Sequence, residues 1–407
     1  MAISPVPLAD YDWLVSQDTA RWLDLASAVA KPTPALAAQL RDELSAERTH
    51  LVLEQAALRR RAAEKFTLAR RMFFSPVGLE QATDEWIAKY KAARFPPNVP
   101  LADLCCGIGG DLLALAGGGP TIGIDRDPIT TVLAKANLAV WTNAGRPPRQ
   151  AEFQTADVAQ FDLSACAAWH LDPDRRPAGR RTTRVVAHDP AAEVIERLLA
   201  TCPNAAIKLA PAAVLPDGWS RRAELEWISR TRECRQLVAW FGELTVSSGS
   251  RRATMLDGDG AVRRTIRGEP DSPIPHAPRI GRFVFEPDAA VLAAKLTGAL
   301  AGEHGLAAVT PGIAYLTGDT PLDEAALACF EVLDLLPLRI RALKSWLRQR
   351  SIGRLEIKKR GVDLDPAQLR RQLRVAGDTS AALLVTRLAG RDTVIAARRT
   401  PQPAWRP

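Results

Sequence analysis

The feature that most constrains folding is a short stretch in which an apolar run leads into glycines and then into a helix. Residues 101–105 read Leu-Ala-Asp-Leu-Cys, and Gly107, Gly109 and Gly110 follow them. A second apolar run ends at Asp125, sixteen residues beyond Gly109. Glycines at such a turn let the backbone approach a ligand, and a carboxylate ending the second strand can accept hydrogen bonds from ribose hydroxyls. The pattern therefore predicts a nucleoside site in an α/β fold.

The chain around this stretch alternates between strand-like and helix-like segments. The predicted strands are 99–105, 121–125, 151–156, 167–171 and 205–210, and the predicted helices are 112–116, 127–143 and 190–201. Strands that alternate with helices favour a parallel, doubly wound sheet. Residues 8–95 instead show the three- and four-residue apolar spacing of helices, which ends at Pro96 and Pro97.

The second half of the chain shows a different pattern. Asp257-Gly258-Asp259-Gly260 is a hairpin signal, and residues 268–278 are rich in proline. The elements predicted after that are helices at 288–300, 323–333 and 339–350, and strands at 353–359, 381–388 and 392–398. We therefore expect four parts, namely a helical region 1–95, an α/β core 96–267, a linker 268–278 and a C-terminal α/β region 279–407.

The acid that precedes the glycines indicates which nucleoside binds. In a dinucleotide fold the glycine turn meets a pyrophosphate, which Asp103 would repel, whereas this carboxylate suits the cationic amino group of a methionine moiety. The segment resembles motif I of class I S-adenosylmethionine-dependent methyltransferases, with Cys105 in place of the first glycine. The resemblance implies S-adenosylmethionine as cofactor and a Rossmann-like core. The cofactor-binding residues that it implies are Asp103, Gly107, Gly109 and Gly110 for the methionyl part, Asp125 and Arg126 at the ribose, and Asp157 at the adenine.

Two further resemblances cover most of the chain. Residues 72–128 are similar to the core of trimethylguanosine synthases, which implies that Gly78–Thr83 lies beside the cofactor. Residues 353–366 resemble the THUMP-like domain behind such a core in a bacterial, especially actinobacterial, methyltransferase family. These resemblances imply a helical N-terminal region, a class I core and an α/β THUMP-like domain at about 330–400.

The reaction motif is expected where the fourth strand ends, at Asp172-Pro173-Asp174-Arg175. It resembles the (Asn/Asp/Ser)-Pro-Pro-aromatic motif of enzymes that methylate exocyclic amino nitrogens, with Asp174 and Arg175 replacing its second half. The resemblance implies catalytic roles for Asp172 and Pro173. We assign one to Arg175 as well, because an arginine can stack on a base and also contact phosphate. Arg176 and Lys208 are further substrate-binding candidates.

Covalent catalysis is the alternative chemistry at this motif. Uridine C5 methyltransferases show a similar Asp-Pro-Pro-Arg sequence and use a cysteine that follows the next strand. Here Cys202 precedes the fifth strand, so the sequence disfavours a covalent intermediate. A second alternative is that the altered motif no longer supports catalysis.

The distribution of positive charge along the chain indicates what kind of partner it binds. The formal charge is +8, yet residues 339–374 hold twelve Lys and Arg against three acids. Clustered cations are typical of proteins that bind nucleic acid. We expect Lys358, Lys359 and Arg360, at the end of a predicted strand, to bind RNA.

Composition limits the remaining classes. No run approaches the ~20 apolar residues of a membrane-spanning helix, and the six cysteines form no Cys-x-x-Cys pair. The expectation is a cytoplasmic methyltransferase without a metal that acts on an RNA nucleotide, with a base amino nitrogen favoured. The alternatives are a non-catalytic RNA-binding protein with the same fold, or a methyltransferase of a protein or a small molecule. The sequence leaves the oligomeric state open.

Overall fold

The structure is a computed structural model that describes residues 7–145, 150–174 and 182–401. The helices are α1 (Leu8–Leu14), α2 (Ala20–Ser27), α3 (Pro34–Arg41), α4 (Ala46–Ala62), α5 (Pro76–Gln81), α6 (Glu85–Ala92), α7 (Leu112–Leu115), α8 (Pro128–Asn143), α9 (Ala192–Thr201), α10 (Trp219–Arg222), α11 (Ala289–Ala293), α12 (Thr297–His304), α13 (Ile340–Gln349) and α14 (Pro366–Leu373).

The strands follow the same numbering along the chain. They are β1 (Leu101–Leu104), β2 (Thr121–Asp125), β3 (Ala151–Thr155), β4 (Ala168–Leu171), β5 (Ala205–Leu209), β6 (Glu224–Arg230), β7 (Glu233–Trp240), β8 (Arg251–Leu256), β9 (Val262–Gly268), β10 (Phe283–Pro287), β11 (Ala307–Thr310), β12 (Ile313–Gly318), β13 (Leu327–Pro337), β14 (Ile352–Lys359), β15 (Thr379–Leu388) and β16 (Arg391–Arg399).

The chain divides into two compact units. Unit 1 comprises Met1–Leu225, Gln236–Gly249 and Asp259–Ala261, and unit 2 comprises Glu226–Arg235, Ser250–Gly258 and Val262–Pro407. The predicted helical region and most of the predicted core thus share unit 1. None of the described helices is long and apolar enough to cross a membrane.

The helices of unit 1 begin where the sequence supplies capping side chains. Ser45, Ser75 and Asp84 each accept a hydrogen bond from a backbone N–H in the first turn of α4, α5 and α6. Apolar residues of α1 to α5 pack into one core that also takes in part of α8. The helical reading of residues 8–95 is therefore confirmed.

The sheet of unit 1 places the ends of its central strands together. Within unit 1 its strands have the order β3-β2-β1-β4-β5-β7, in which β7 is antiparallel to β5 and the other neighbouring pairs are parallel. In this Rossmann-like arrangement the strand order reverses between β1 and β4, and ligands bind beyond the carboxyl ends of the strands at such a point. The register pairs Asp103 with His170, so two polar side chains meet near that edge.

Unit 2 is built mainly of antiparallel strands. Strands β8 and β9 form the hairpin predicted at Asp257–Gly260. A second sheet has the order β11-β12-β10-β13-β16-β15-β14, in which only β14 and β15 pair in parallel. Apolar side chains of α13 and α14 pack with those of β14, β15 and β16 in one core.

One predicted helix is wrong. Residues 323–333 are rich in Ala, Leu and Glu, which favours a helix, but Leu327–Pro337 forms strand β13 between β10 and β16. Alternate residues there, such as Ala328 and Phe330, are fully buried in the core of the sheet. Pairing on both sides and burial outweigh a local preference worth less than ~1 kcal/mol per residue.

A candidate cofactor and substrate site

A cavity of about 460 Å³ lies at the carboxyl ends of the central strands of unit 1. Its walls come from helix α5, the glycine turn after β1, the end of β2, the residues after β3 and the end of β4. This is the topological switch point at which open α/β sheets bind ligands. Several of the predicted site residues therefore lie at one cavity on this edge of the sheet.

The glycine turn keeps one side of the cavity open. Cys105 and Gly107 both have left-handed backbone angles, with φ of 54° and 56°, so Cys105 takes the strained conformation that a glycine would adopt more easily. A Cβ atom added at Gly107 would meet nothing within 4 Å, and Gly107 lines the cavity. Gly109 and Gly110 are not among the lining residues. Gly110 instead permits close packing, because its Cβ atom would lie 3.1 Å from the carbonyl oxygen of Thr83.

Asp125 is held at the cavity by two backbone donors. Its Oδ2 accepts from the N–H of Gly107 at 3.0 Å, and its Oδ1 accepts from the N–H of Asp127 at 3.0 Å. Burial raises the pKa of Asp125, and these two hydrogen bonds act in the opposite direction. An ionised carboxylate has about four acceptor positions, so two remain for the hydroxyls of a ribose.

The other two predicted nucleoside contacts also lie at this cavity. Asp157 is exposed and caps the short turn after β3 by accepting from the N–H of Ala159 at 2.9 Å. Arg126 forms an ion pair with Asp189, and both residues line the cavity. The described lining thus combines a single guanidinium, from Arg126, with six carboxylates, which are those of Asp125, Asp127, Asp157, Asp172, Asp174 and Asp189.

A buried polar network contains Asp103. His170 Nδ1 lies 2.7 Å from Asp103 Oδ1, and Lys91 Nζ lies 3.0 Å from His170 Nε2 and 2.7 Å from Asp111 Oδ1. Thr83 donates to Asp111 Oδ2 at 2.6 Å. Because the Lys91 ammonium only donates, His170 accepts at Nε2 and donates from Nδ1 to Asp103. The network therefore orients the carboxylate of Asp103.

Burial sets the electrostatics of this network. It raises the pKa of Asp103 and lowers the pKa of Lys91. Burial would also raise the pKa of Asp111, but chiefly the charge of Lys91 holds the pKa of this carboxyl well below its usual range. Asp103 is 1% exposed, and its Oδ2 has no hydrogen-bond partner in the described part of the chain. This orphaned acceptor suits an ammonium group or a water molecule that bridges to one.

The predicted reaction motif lines the cavity with Asp172, Pro173 and Asp174. Lys208 Nζ lies 2.5 Å from Asp172 Oδ2 and donates to the carbonyl oxygen of Gln81 at 2.8 Å. Lys208, predicted as a substrate contact, is only 7% exposed. In the structure it therefore fixes Asp172 against the end of α5 rather than presenting a free charge.

The remaining predicted residues divide into two sets. Arg175 and Arg176 lie outside the described residues. In unit 2, Lys358 Nζ lies 2.7 Å from Glu286 Oε2 and Arg360 Nη2 lies 3.3 Å from Glu286 Oε1. Lys359 between them is exposed. The buried Glu286 therefore forms ion pairs with two of the three cations that were expected to bind RNA.

Sequence reasoning missed the roles of Lys91 and His170. His170 carried a usable signal, since it is a polar residue within an apolar strand two positions before Asp172. Lys91 carried no such signal, because it lies 79 residues from His170 on a helix whose other lysine, Lys89, is exposed. Only the packing of α6 against this sheet edge brings it into the network.

Comparisons with known proteins identify the class. Two sequences from different strains of Mycobacterium tuberculosis, each described as an uncharacterized S-adenosylmethionine-dependent methyltransferase, are 31% identical to this chain over 352 residues. The match covers 84% of this chain and 94% of each relative. A crystal structure of a protein from Porphyromonas gingivalis W83, assigned as a methyltransferase, has a TM-score of 0.74 at 20% identity and covers 95% of this chain and 99% of that one. The last likeness concerns the fold alone.

The site and these relatives together define an S-adenosylmethionine-dependent methyltransferase with a class I core. The chain belongs to the family of the mycobacterial methyltransferases, and S-adenosylmethionine is its cofactor. Residues 327–399 match the family described as THUMP domain-like. The THUMP-like domain expected in the C-terminal part of the chain is thereby confirmed.

Proposed function

We propose that this methyltransferase modifies an exocyclic amino nitrogen of an RNA nucleotide. The observation that carries the proposal is the fixed carboxylate of Asp172 at the cavity, held by Lys208, which also donates to the carbonyl oxygen of Gln81. Its Oδ1 makes no hydrogen bond with the described residues, so it can accept from an N–H group. An amino group that donates to Asp172 would be held in one orientation, which favours transfer to its nitrogen.

The residues that would hold the cofactor have suitable chemistry. Asp125 and Asp157 offer acceptors to the ribose and the adenine amino group, and Gly107 leaves room for the methionyl part. The orphaned Oδ2 of Asp103 suits the methionyl ammonium, directly or through water. When bound, S-adenosylmethionine supplies a methyl group already activated by a positive sulfur. The protein therefore needs to position the acceptor and exclude water more than to perform acid–base chemistry.

Two observations support RNA as the substrate. One is the match to a THUMP domain-like family, and the other is the excess of nine positive charges between Arg339 and Arg374. Arg175 and Arg176, beside the motif in sequence, would add contacts to base or phosphate. The reaction would take place in the cytoplasm, where RNA is present.

A non-catalytic RNA-binding protein is the second candidate. Such a protein would have no need of a carboxylate fixed at the cavity by a buried lysine. The distances from Lys208 to Asp172 and Gln81 therefore favour a chain that still catalyses methyl transfer. A protein or small-molecule substrate would leave the positive charge of residues 339–374 without a use.

The test is methyl transfer in vitro. The full chain is incubated with S-adenosylmethionine carrying a tritiated methyl group and with total bacterial RNA, and the RNA is then digested to nucleosides. We expect label in one nucleoside methylated on an exocyclic nitrogen, and at least ~100-fold less label with Asp172→Ala. The affinity of the variant for S-adenosylhomocysteine should stay within about threefold, less than ~1 kcal/mol. Label in protein alone, or equal label with both proteins, would contradict the proposal.

A further inference from the structure

Helices α13 and α14 of unit 2 cover one face of a sheet and contact each other. Their apolar side chains point into that core, where Leu343, Trp346 and Leu347 of α13 meet Leu369 and Leu373 of α14. All five are less than 5% exposed. The amphipathic pattern of both helices is therefore satisfied inside the unit, and their polar sides form its outer surface there.

The charged residues within the two helices are all positive, because neither helix contains Asp or Glu. These cations are Arg341, Lys344, Arg348, Arg370 and Arg371. Together with Arg339 before α13 and Arg374 after α14 they form what we call the cationic helix surface. The acid next to these helices in sequence is Asp365, which caps the start of α14. All seven cations but the half-buried Lys344 are exposed. In the described part of the chain, none of the seven is in an ion pair, whereas Arg350 lies 3.8 Å from Asp334.

The spacing of these cations opposes folding of the helices by themselves. Arg341, Lys344 and Arg348 lie three and four residues apart, so they follow one stripe of α13. Like charges at this spacing destabilise a helix by ~0.2–0.5 kcal/mol for each pair. A surface ordinarily offsets this repulsion with interspersed acids, which neither helix contains. A polyanion would turn the repulsion into attraction.

We propose that the cationic helix surface is where RNA phosphates contact unit 2, rather than the end of β14. This inference rests on the proposed function, because it assumes that the substrate is RNA. The end of β14 offers less, since Glu286 holds Lys358 and Arg360 and leaves Lys359 as the exposed cation of the three. An anionic membrane is the weaker partner, because a membrane-binding helix needs an exposed apolar side and those of α13 and α14 are buried.

Two matched variants of the full chain test the surface. One replaces Arg341, Arg348 and Arg371 by Gln. The control replaces Arg267, Arg279 and Arg391 by Gln, which are exposed cations of the same unit on other elements. Both variants lose three positive charges, so a difference between them reports position and not net charge. Affinity for S-adenosylhomocysteine and the unfolding temperature show whether each variant is folded. If the triple variant is not folded, the single variant Arg348→Gln replaces it.

The probe is a fluorescein-labelled, single-stranded RNA of about 25 nucleotides, measured by anisotropy over a range of salt. With ~0.7 log units per contact per decade of salt, losing three contacts should lower the log–log slope by about 2 and weaken binding roughly 10- to 50-fold near 0.15 M salt. The control should change by less than about threefold. An equal loss of RNA affinity in both variants would overturn the assignment of this surface. It would not contradict RNA as the substrate.

Two further outcomes separate this inference from the proposed function. Salt-independent RNA binding by the unmodified chain would instead overturn the proposed function. Tighter binding to DNA of the same sequence, or to vesicles of phosphatidylcholine and phosphatidylglycerol, would identify another polyanion or a membrane as the partner. Either result would overturn the assignment of the surface to RNA.

Discussion

The charged residues around the glycine turn of unit 1 differ sharply from those on the helices of unit 2. Lys91, Asp103 and Asp111 are almost fully buried, and each contacts another charged or polar side chain of the network. The cations of the cationic helix surface are mostly exposed and have no acidic partner among the described residues. Buried pairs fix the position of groups that contact a ligand. Removing one member of such a pair strongly lowers the free energy of unfolding. Exposed, unpaired cations add little to stability and remain available to a partner.

The largest effect should follow from breaking the buried network. Lys91→Met leaves Asp111 buried without its cation, so we expect the free energy of unfolding to fall by ~3–5 kcal/mol. Urea unfolding measures this change. The control is Lys89→Met on the same helix, since the side chain of Lys89 is 50% exposed and pairs with the buried Glu85 at 2.6 Å. Glu85 also accepts from the N–H and the hydroxyl of Thr67, so losing Lys89 should cost no more than ~1 kcal/mol. Equal effects would contradict the distinction between a buried lysine and a half-exposed one.

The same variant has a predicted pH dependence. Asp111 has a folded pKa below its unfolded value, so the stability that it contributes is present above about pH 4 and is lost as the pH falls through the folded pKa. Without Lys91 the folded pKa rises, and protonation then relieves the buried charge. The difference in unfolding free energy between the native chain and Lys91→Met should therefore shrink as the pH falls from 7 toward about 3.5. A constant difference would mean that lost packing, not charge, causes the effect.

A smaller effect is expected at the wall of the cavity. Asp125→Ala removes the acceptors offered to the ribose, so S-adenosylhomocysteine should bind more weakly by ~1.5–3 kcal/mol, roughly 10- to 150-fold in Kd. Isothermal titration calorimetry measures this change. Asp162→Ala is a suitable control, because Asp162 is exposed and does not line the cavity. Unchanged affinity in Asp125→Ala would remove this residue from the cofactor site.

The smallest effect separates two adjacent lysines. Lys359 is exposed, whereas Lys358 is held by Glu286 and lies 3.5 Å from Glu356. If RNA reaches this strand end, Lys359→Gln should weaken RNA binding by up to about fourfold with no loss of stability. Lys358→Gln should instead lower the free energy of unfolding by up to ~1 kcal/mol and leave RNA affinity unchanged. The reverse pattern would show that the pairing with Glu286 does not persist in solution.

The sequence predicted local features well and contacts between distant segments poorly. The central strands, the glycine turn and the positions of Asp125 and Asp172 follow from short-range patterns, and the structure agrees with them. The wrong helix at 323–333 shows the limit, because Phe330 is fixed by pairing with residues of β10 and β16 that lie 46 and 69 residues away. The interaction of Lys358 with Glu286 also spans 72 residues, so a run of three cations could not show which of them is free.

Methylation of cellular RNA tests the central claim most directly. Total RNA from a strain lacking this chain is compared with RNA from the same strain expressing either the native chain or Asp172→Ala, by mass spectrometry of nucleosides. We predict that one nucleoside methylated on an exocyclic nitrogen disappears in the deletion, returns with the native chain and does not return with Asp172→Ala. An unchanged set of methylated nucleosides, or restoration by Asp172→Ala, would contradict an RNA methyltransferase that uses this carboxylate.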